Sequence, residues 1–303
     1  VLSFATDQIT LKKDEYVLDI GCNDGTLLNH YPENLYNLIG IDPVAKKYLD
    51  RYPKDAKVVT EFFSKESYFS VASNKAKIVT SISMFYDLED PVTFAKSISS
   101  VLSEDGVWVF EQSYLPAMLR TNSYDTICQE HVEYYSLAAI QYILQQAGMT
   151  IVDASQNEVN GGSIRLAAVH ESSALASKIS PEASWLIKQE KNHDIFSNQP
   201  WIDFQNNLAR QKLDLVNLLT ELKTAGKTVI GYGASTKGNV ILQYCGIGPD
   251  LLPLIGDITP SKDGVFTPGS KIPVISMEKA KAMKPDYFLV LPWGFRGDIL
   301  LRE

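Results

Sequence analysis

The sequence predicts a two-domain α/β protein in which each domain is a mostly parallel sheet flanked by helices. Three observations carry that prediction. The chain has 303 residues, 45% of them hydrophobic, enough for about two cores at roughly 150 residues per domain. From Tyr16 onward, short apolar runs alternate with amphipathic stretches, the pattern of parallel strands joined by helical crossovers. Two glycine-rich turns, Gly21 to Gly25 and Gly231 to Gly238, each follow such a run, so both halves share a strand, turn and helix logic.

Taken in order, strands are expected at 16–20, 37–42, 56–60, 76–82 and 106–112, each an apolar run bounded by polar or turn residues. A helix should open at Thr26 directly after the first glycine turn. Further helices are expected at 92–102 and 137–148, the second closed by a glycine cap. The β-rich runs MTIVDASQ and SIRLAAVH read as antiparallel edge strands closing the sheet. From about Ala174 to Ala225, apolar residues at helical spacing predict one or two connecting helices, with a break near Gln199-Pro200. A second alternation then runs through KTVIGYGAST, the helix-like NVILQYCG, the strand LLPLIGD, the turn-rich TPSKDGVFTPGSKIP and the strand DYFLVLP. The expected division is 1–172 for the first domain and 173–303 for the connector and the second, smaller one.

Composition removes several function classes. The formal net charge is −8, whereas non-specific nucleic-acid affinity comes from Lys and Arg neutralising phosphates. No apolar run approaches the roughly 18 residues of a membrane span. Cys22, Cys128 and Cys245 form no CxxC pair, which points away from a disulfide framework or a zinc site and towards a reducing, cytoplasmic setting. No metal is expected.

The first glycine turn is the strongest chemical signal. The run Asp19-Ile-Gly21-Cys-Asn23-Asp24-Gly25 lets the backbone turn sharply and approach a ligand, and it lacks the G-x-G-x-x-G of a dinucleotide site. Asp42, followed by Pro43, ends the second strand, where an acid can grip ribose hydroxyls. A tight strand-to-helix turn without a ligand would explain the glycines alone, but not the second acid. Phe62 and Phe63 after the third strand could flank an adenine or belong to the core. Ser83 and Met84 lie just past the fourth strand, where ligands of such sheets sit.

The segment SYDTICQEHVEYYSLAA is dense in titratable groups. His131 can accept a proton at neutral pH, with Glu130, Glu111 or Glu133 as the orienting carboxylate. Tyr114, Tyr134 and Tyr135 could donate to an oxyanion. The second glycine turn offers backbone N–H groups together with Gly233, Ser235, Thr236, Lys237 and Asn239, a set suited to a diphosphate. Asp257 could grip a ribose, and Trp293 and Arg296 could close that pocket.

An acid-x-Gly-x-Asn-Asp-Gly turn with a second acid resembles S-adenosylmethionine-dependent methyltransferases. Over nearly the whole chain, VLDIGCNDGTLL, LIGIDP, FEQSYL, YDTICQEHVEYYS, NGGSIR, GYGASTKGNVILQYCGI, FTPGSKIPVI and PDYFLVLPW resemble the C-methyltransferases of nucleotide-linked keto-deoxysugars, the mycarose and tetronitrose group. The resemblance implies a class I methyltransferase domain joined to a Rossmann-like domain, S-adenosylmethionine as cofactor, and a nucleotide sugar or other activated ketone held between the domains. His131 matches the family's base, supported by Glu130. Two features depart from the family. Cys128 stands where tyrosine is usual, and the motif after the fourth strand ends Ser83-Met-Phe-Tyr-Asp87 in place of Asn-x-x-x-His. The family's amino-terminal zinc-binding module has no counterpart here, and the chain is expected to be part of a longer polypeptide or of a lineage without that module. Three alternatives remain: an NAD(P)-dependent oxidoreductase, suggested by GYGAST and Asp257; a methyltransferase acting on oxygen or nitrogen of a sugar, or on another carrier-linked metabolite; and a binding protein without activity.

Overall fold

Continuous apolar runs become the buried strands of a seven-stranded sheet. The computed structural model describes all 303 residues. Its first part runs α1 (Leu2–Gln8), β1 (Tyr16–Ile20), β2 (Asn37–Ile41), β3 (Lys57–Val59), α2 (Lys65–Phe69), β4 (Ala76–Ile82), α3 (Pro91–Val101), β5 (Leu102–Ser113), α4 (Leu115–Thr121), α5 (Leu137–Gln145), β6 (Met149–Asn157), β7 (Ser163–His170) and α6 (Pro181–Asn192). The strand order is β3-β2-β1-β4-β5-β7-β6. All five residues of β1 are buried, as befits a central parallel strand covered on both faces. On one face Ala5, Ile9, Val17, Leu28, Ile78 and Val109 share a core. On the other, Trp108 stacks on Phe110 at 4.3 Å and Phe85 packs edge-on to Trp108 at 5.6 Å.

Two expectations need correction. The helix at Thr26 is only a 3-10 turn, Leu28–His30, because Pro32 can donate no N–H to a helical ladder and forces Tyr31 into extended backbone, ψ 146°. The pair β6 and β7 is also not a pair of antiparallel edges. β7 runs antiparallel to both β5 and β6, so β6, the edge strand, points the same way as the parallel set. Asn160, Gly161 and Gly162, all at positive φ (56°, 86° and 128°), make the tight return that inserts β7.

The second part contains α7 (Gln199–Thr224), β8 (Val229–Tyr232), α8 (Thr236–Cys245), β9 (Ile255–Asp257), β10 (Val274–Ser276), α9 (Met277–Ala282), β11 (Tyr287–Val290) and α10 (Arg296–Arg302). Its four strands are parallel in the order β10-β9-β8-β11. The connector forms two helices, α6 and α7, separated over 193–198 directly before Gln199-Pro200, as expected; Pro200 sits in the first turn of α7, where a residue without N–H is tolerated at no loss. The Ser235 hydroxyl caps α8 by accepting from the Gly238 N–H at 3.0 Å, and Gly246 ends it at φ 71°. The strand β10 directly follows the turn-rich run that ends at Pro273, where no strand was expected; three residues are too few to show a period.

The chain separates into two compact units, residues 1–116, 132–157 and 162–194 against 117–131, 158–161 and 195–303. The boundary thus differs from the expected 172/173. Helix α6 belongs to the first unit because Ala183, Leu186 and Glu190 on it are buried, and the Glu190 carboxyl accepts from Tyr114 Oη (2.7 Å), Leu137 N (2.5 Å) and Ala138 N (3.0 Å). Residues 117–131 join the second unit, where the Tyr124 ring lies 4.9 Å from that of Tyr244. No helix is long and apolar enough to cross a membrane.

Candidate functional site

The turn after β1 is built from three positive-φ residues, Gly21 (72°), Asn23 (46°) and Gly25 (77°). Its position is fixed from below by Tyr52, whose hydroxyl donates to the Asn23 carbonyl at 2.6 Å. A Cβ on Gly25 would fall 2.8 Å from the Tyr52 ring. Gly25→Ala therefore meets both a left-handed backbone and a collision, and should destabilise the first unit by about 1–3 kcal/mol. A thermal unfolding midpoint equal to the wild type would contradict this reading.

Asp42 stands at the end of β2 as expected. Its Oδ2 accepts from the Asn23 N–H at 2.9 Å and its Oδ1 from the Val44 N–H at 2.6 Å, so this acid ties the turn to the next strand end, with Pro43 opening the following 3-10 turn. Asp24 caps the turn through Thr26 Oγ1 at 2.7 Å. Asp19 is 4% exposed and accepts from Thr80 Oγ1 at 2.5 Å. Burial pushes its carboxyl up to about 7, partly offset by the Thr80 hydrogen bond, with Asp42 adding to the rise. Asp19, Gly21, Asn23, Asp24 and Ile82 line a cleft of about 530 Å³ together with Val1, Leu2 and Ser3, a size common for small-molecule sites. The contribution of residues 1–3 was invisible in the sequence, since a short helix start carries no signature. Ser83 follows β4 at φ 56° and its N–H donates to the Glu111 carbonyl at 2.7 Å. Phe63 packs on Phe94 at 5.4 Å, while Phe62 is exposed.

His131 is half-buried. Its proton affinity is lowered mainly by burial; a hydrogen bond to the Thr126 carbonyl works against that, and Lys237 adds to the lowering. An imidazole in this setting is neutral at neutral pH and oriented by a backbone acceptor, a partner that no residue-type pattern reveals. Glu130 is exposed and the Cys128 thiol points to its Oε2 at 3.9 Å. After His131, the N–H groups of Val132 and Glu133 both donate to the Tyr86 carbonyl at 3.1 Å. That pairing ties the segment carrying Tyr134 to the loop after β4.

Tyr114 requires a correction. It is 3% exposed and its hydroxyl proton is committed to Glu190, so it supports the start of α5 and is not an oxyanion donor.

The second glycine turn does not assemble its expected residues into one pocket. Gly233 (φ 81°) and Ser235 line a cavity of about 260 Å³ with Asp257, Lys262 and Arg302. Burial would raise the Asp257 carboxyl, but the N–H groups of Thr259 and Ala234 and the Lys262 ammonium hold it below the usual range. Arg296 is exposed and does not line this cavity; Lys262 and Arg302 supply its positive charge. Lys262 lies in the polar turn after β9, a run too rich in turn residues for one lysine to stand out. Lys237 points elsewhere, with Nζ 3.1 Å from Asn160 Oδ1, and Trp293 Nε1 donates to Asp125 Oδ2 at 2.8 Å. Burial lowers the Lys237 proton affinity against the opposing pull of Asp125 and Cys128. Thr236 is exposed, and the Asn239 carboxamide oxygen is buried with no hydrogen-bond partner.

Two family models match the chain, a methyltransferase domain over residues 2–154 and a C-methyltransferase C-terminal domain over residues 158–303. The chain is 28% identical over 305 aligned residues to C-methyltransferase NovU of Streptomyces niveus, covering 100% of this chain and 72% of that protein. Among solved structures it is similar to an S-adenosylmethionine-dependent methyltransferase of Clostridium acetobutylicum (14% identity, TM-score 0.42, 56% of this chain and 88% of the other). It is also similar to LepI in complex with SAM (13%, TM-score 0.43, 52% and 43%).

Proposed function

The chain belongs to the methyltransferase-domain family and uses S-adenosylmethionine; from that premise we propose that it methylates a carbon next to a ketone, on a nucleotide-linked keto-deoxysugar, with His131 as the base. The oxidoreductase and non-enzymatic alternatives fall with that membership. Likeness to a C-methyltransferase along the whole chain supports carbon as the acceptor atom. The observation that carries the reading is His131, a half-buried imidazole held by the Thr126 carbonyl and biased towards its neutral form. A carbon nucleophile needs such a base, whereas methylation of an amine or a phenolate does not.

The residues present fit the cofactor. The cleft beside the first glycine turn has the size, and the Asp19 carboxyl, 4% exposed at its wall, offers a counter-charge to a cation. Asp19, Gly21, Asn23, Asp24 and Gly25 would form that wall, Asp42 with Pro43 would hold the ribose, and Ser83 would sit at the methionine end. S-adenosylmethionine, when bound, supplies an electrophilic methyl group. His131 takes up the proton from the carbon next to the ketone, and the pair of electrons left behind forms the enolate that is methylated. Tyr134 serves as a donor to the enolate oxygen, and Glu130 tunes the base through its charge. Gly233, Ser235, Asn239 and Lys262 are suited to the diphosphate. Lys237 and Trp293, turned towards Asn160 and Asp125, shape the surroundings of the base. The test is direct: the protein, S-adenosylmethionine and a nucleoside-diphosphate-linked keto-deoxyhexose should yield a product whose new methyl sits on carbon by NMR.

Asp19 gives this reading a pH signature. With its carboxyl raised to about 7, it holds a proton below that pH and is ionised above it. A cationic ligand favours the ionised form, so binding should expel a proton, and S-adenosylmethionine affinity should fall about tenfold per pH unit below about 7. Calorimetry in buffers of different ionisation heat checks both statements. A pH-independent affinity in the wild type, or one no different from that of Asp19→Asn, would remove Asp19 from the cofactor site.

A further inference from the structure

Among the buried polar side chains of the first unit that lack a hydrogen-bond partner, Gln112 is the one with both polar ends left over. Gln112 is 1% exposed, and neither its Nε2 nor its Oε1 has a hydrogen-bond partner. A buried amide left in that state destabilises a fold by about 1–3 kcal/mol, and such groups are rare unless a ligand uses them. The neighbouring Glu111, by contrast, accepts at Oε2 from both Arg165 and Asn157.

Its position is informative. β5 pairs regularly with β7 from Trp108 to Ser113, so side chains alternate without interruption and Gln112 shares a face with Trp108 and Phe110. The same aromatic cluster contains Phe85, whose ring lies 5.5 Å from Phe110 and 5.3 Å from Tyr135. The Tyr135 hydroxyl is likewise buried without a partner. In register, Glu111 lies opposite Ile82, and Ile82 lines the cleft of the first glycine turn. Gln112 is the next residue along, on the opposite face of the sheet from Glu111, at the carboxyl end of β5, where the ligands of such sheets bind.

We propose that Gln112 binds the acceptor substrate, its Nε2 donating to the keto oxygen and its Oε1 accepting from a neighbouring hydroxyl, with the Tyr135 hydroxyl as a further donor. A carboxamide with both ends unsatisfied matches a group that accepts and donates side by side, which a hydroxyketone does and a simple ketone does not. Both donors gain strength as negative charge builds on the oxygen, so they favour the enolate over the ketone. This rests on the C-methylation reading above and adds the residues that recognise the acceptor.

The test is Gln112→Met, which keeps the shape and removes both polar ends. With saturating S-adenosylmethionine and a nucleoside-diphosphate-linked keto-deoxyhexose, kcat/KM for the acceptor should fall about 10²–10³-fold. Affinity for S-adenosylhomocysteine should be unchanged, and the thermal midpoint should hold or rise, because an unsatisfied amide has been removed. Tyr135→Phe, which removes only a hydroxyl, should lower kcat/KM in the same way and gives the answer if the methionine variant does not fold. Wild-type kcat/KM in the variant that folds, or an equal loss of S-adenosylhomocysteine affinity, overturns the proposal. If the wild-type enzyme methylates no such acceptor, the C-methylation reading itself falls; if it does and the variant matches it, only the assignment of Gln112 falls.

Discussion

His131→Ala is expected to lower kcat/KM for methyl transfer by about 10²–10⁴-fold, the usual worth of a positioned general base, while leaving the affinity for S-adenosylhomocysteine unchanged. The reason for the first part is that a carbon next to a ketone loses its proton only to a base in its neutral form. Burial keeps His131 in that form, the Thr126 carbonyl orients it, and Lys237 opposes its protonation. The second part follows because the cofactor cleft is lined from the first glycine turn, β4 and residues 1–3, and His131 is not among its lining residues. The sign of the pH dependence is also set. With its proton affinity below the ordinary histidine value of about 6.5, wild-type kcat/KM should rise with pH and level off below that value. A variant retaining near-wild-type turnover would show that His131 is not the base.

The second large effect is on stability. Glu190→Ala should destabilise the first unit by about 3–5 kcal/mol, because one buried carboxyl satisfies three donors at once, two of them buried and one part-buried, and each orphaned buried donor costs about 1–3 kcal/mol. Two of those donors are the first two N–H groups of α5, and the helix's third N–H, on Ala139, donates to the Ser136 hydroxyl at 3.1 Å. The whole N-terminus of that helix thus depends on Glu190 and Ser136, since these groups have no partners within the helix itself. A fall of about 10 °C in the first unit's thermal midpoint is expected, at roughly 2–4 °C per kcal/mol for a unit of this size. Glu190→Gln, which retains one acceptor oxygen, should lie between the two. A loss below about 1 kcal/mol for the alanine variant would mean that water replaces the carboxyl.

Much of the fold was legible because buried parallel strands announce themselves as apolar runs. YVLDI and AKIVTSI needed no further context. The helix after the first glycine turn failed because a local signal, glycines before apolar residues, was outweighed by Pro32 four residues past Leu28. The inserted β7 could not be read because strand direction is decided by the return at Asn160 to Gly162, and both directions have the same period.

The candidate site was legible in its acids and glycines but not in its partnerships. Asp19 and Asp42 could be placed from spacing alone. Tyr114 could not be told from an oxyanion donor, since its partner Glu190 lies 76 residues away. The orienting carbonyl of Thr126 has no sequence signature, as every residue carries one. The second glycine turn promised one pocket; Gly233 and Ser235 face Asp257, while Lys237, two positions along, turns to Asn160. Gln112 looked like the polar end of a strand, and only its burial without a partner marks it out.

The most direct test of the central claim is proton exchange without the cofactor. Incubated in deuterium oxide with a nucleoside-diphosphate-linked keto-deoxyhexose and no S-adenosylmethionine, the wild-type enzyme should wash deuterium into the carbon next to the ketone, and His131→Ala should not. Methyl transfer to an acceptor without any such exchange, or exchange undiminished in His131→Ala, would contradict the assignment of His131 as the base that makes the carbon nucleophile.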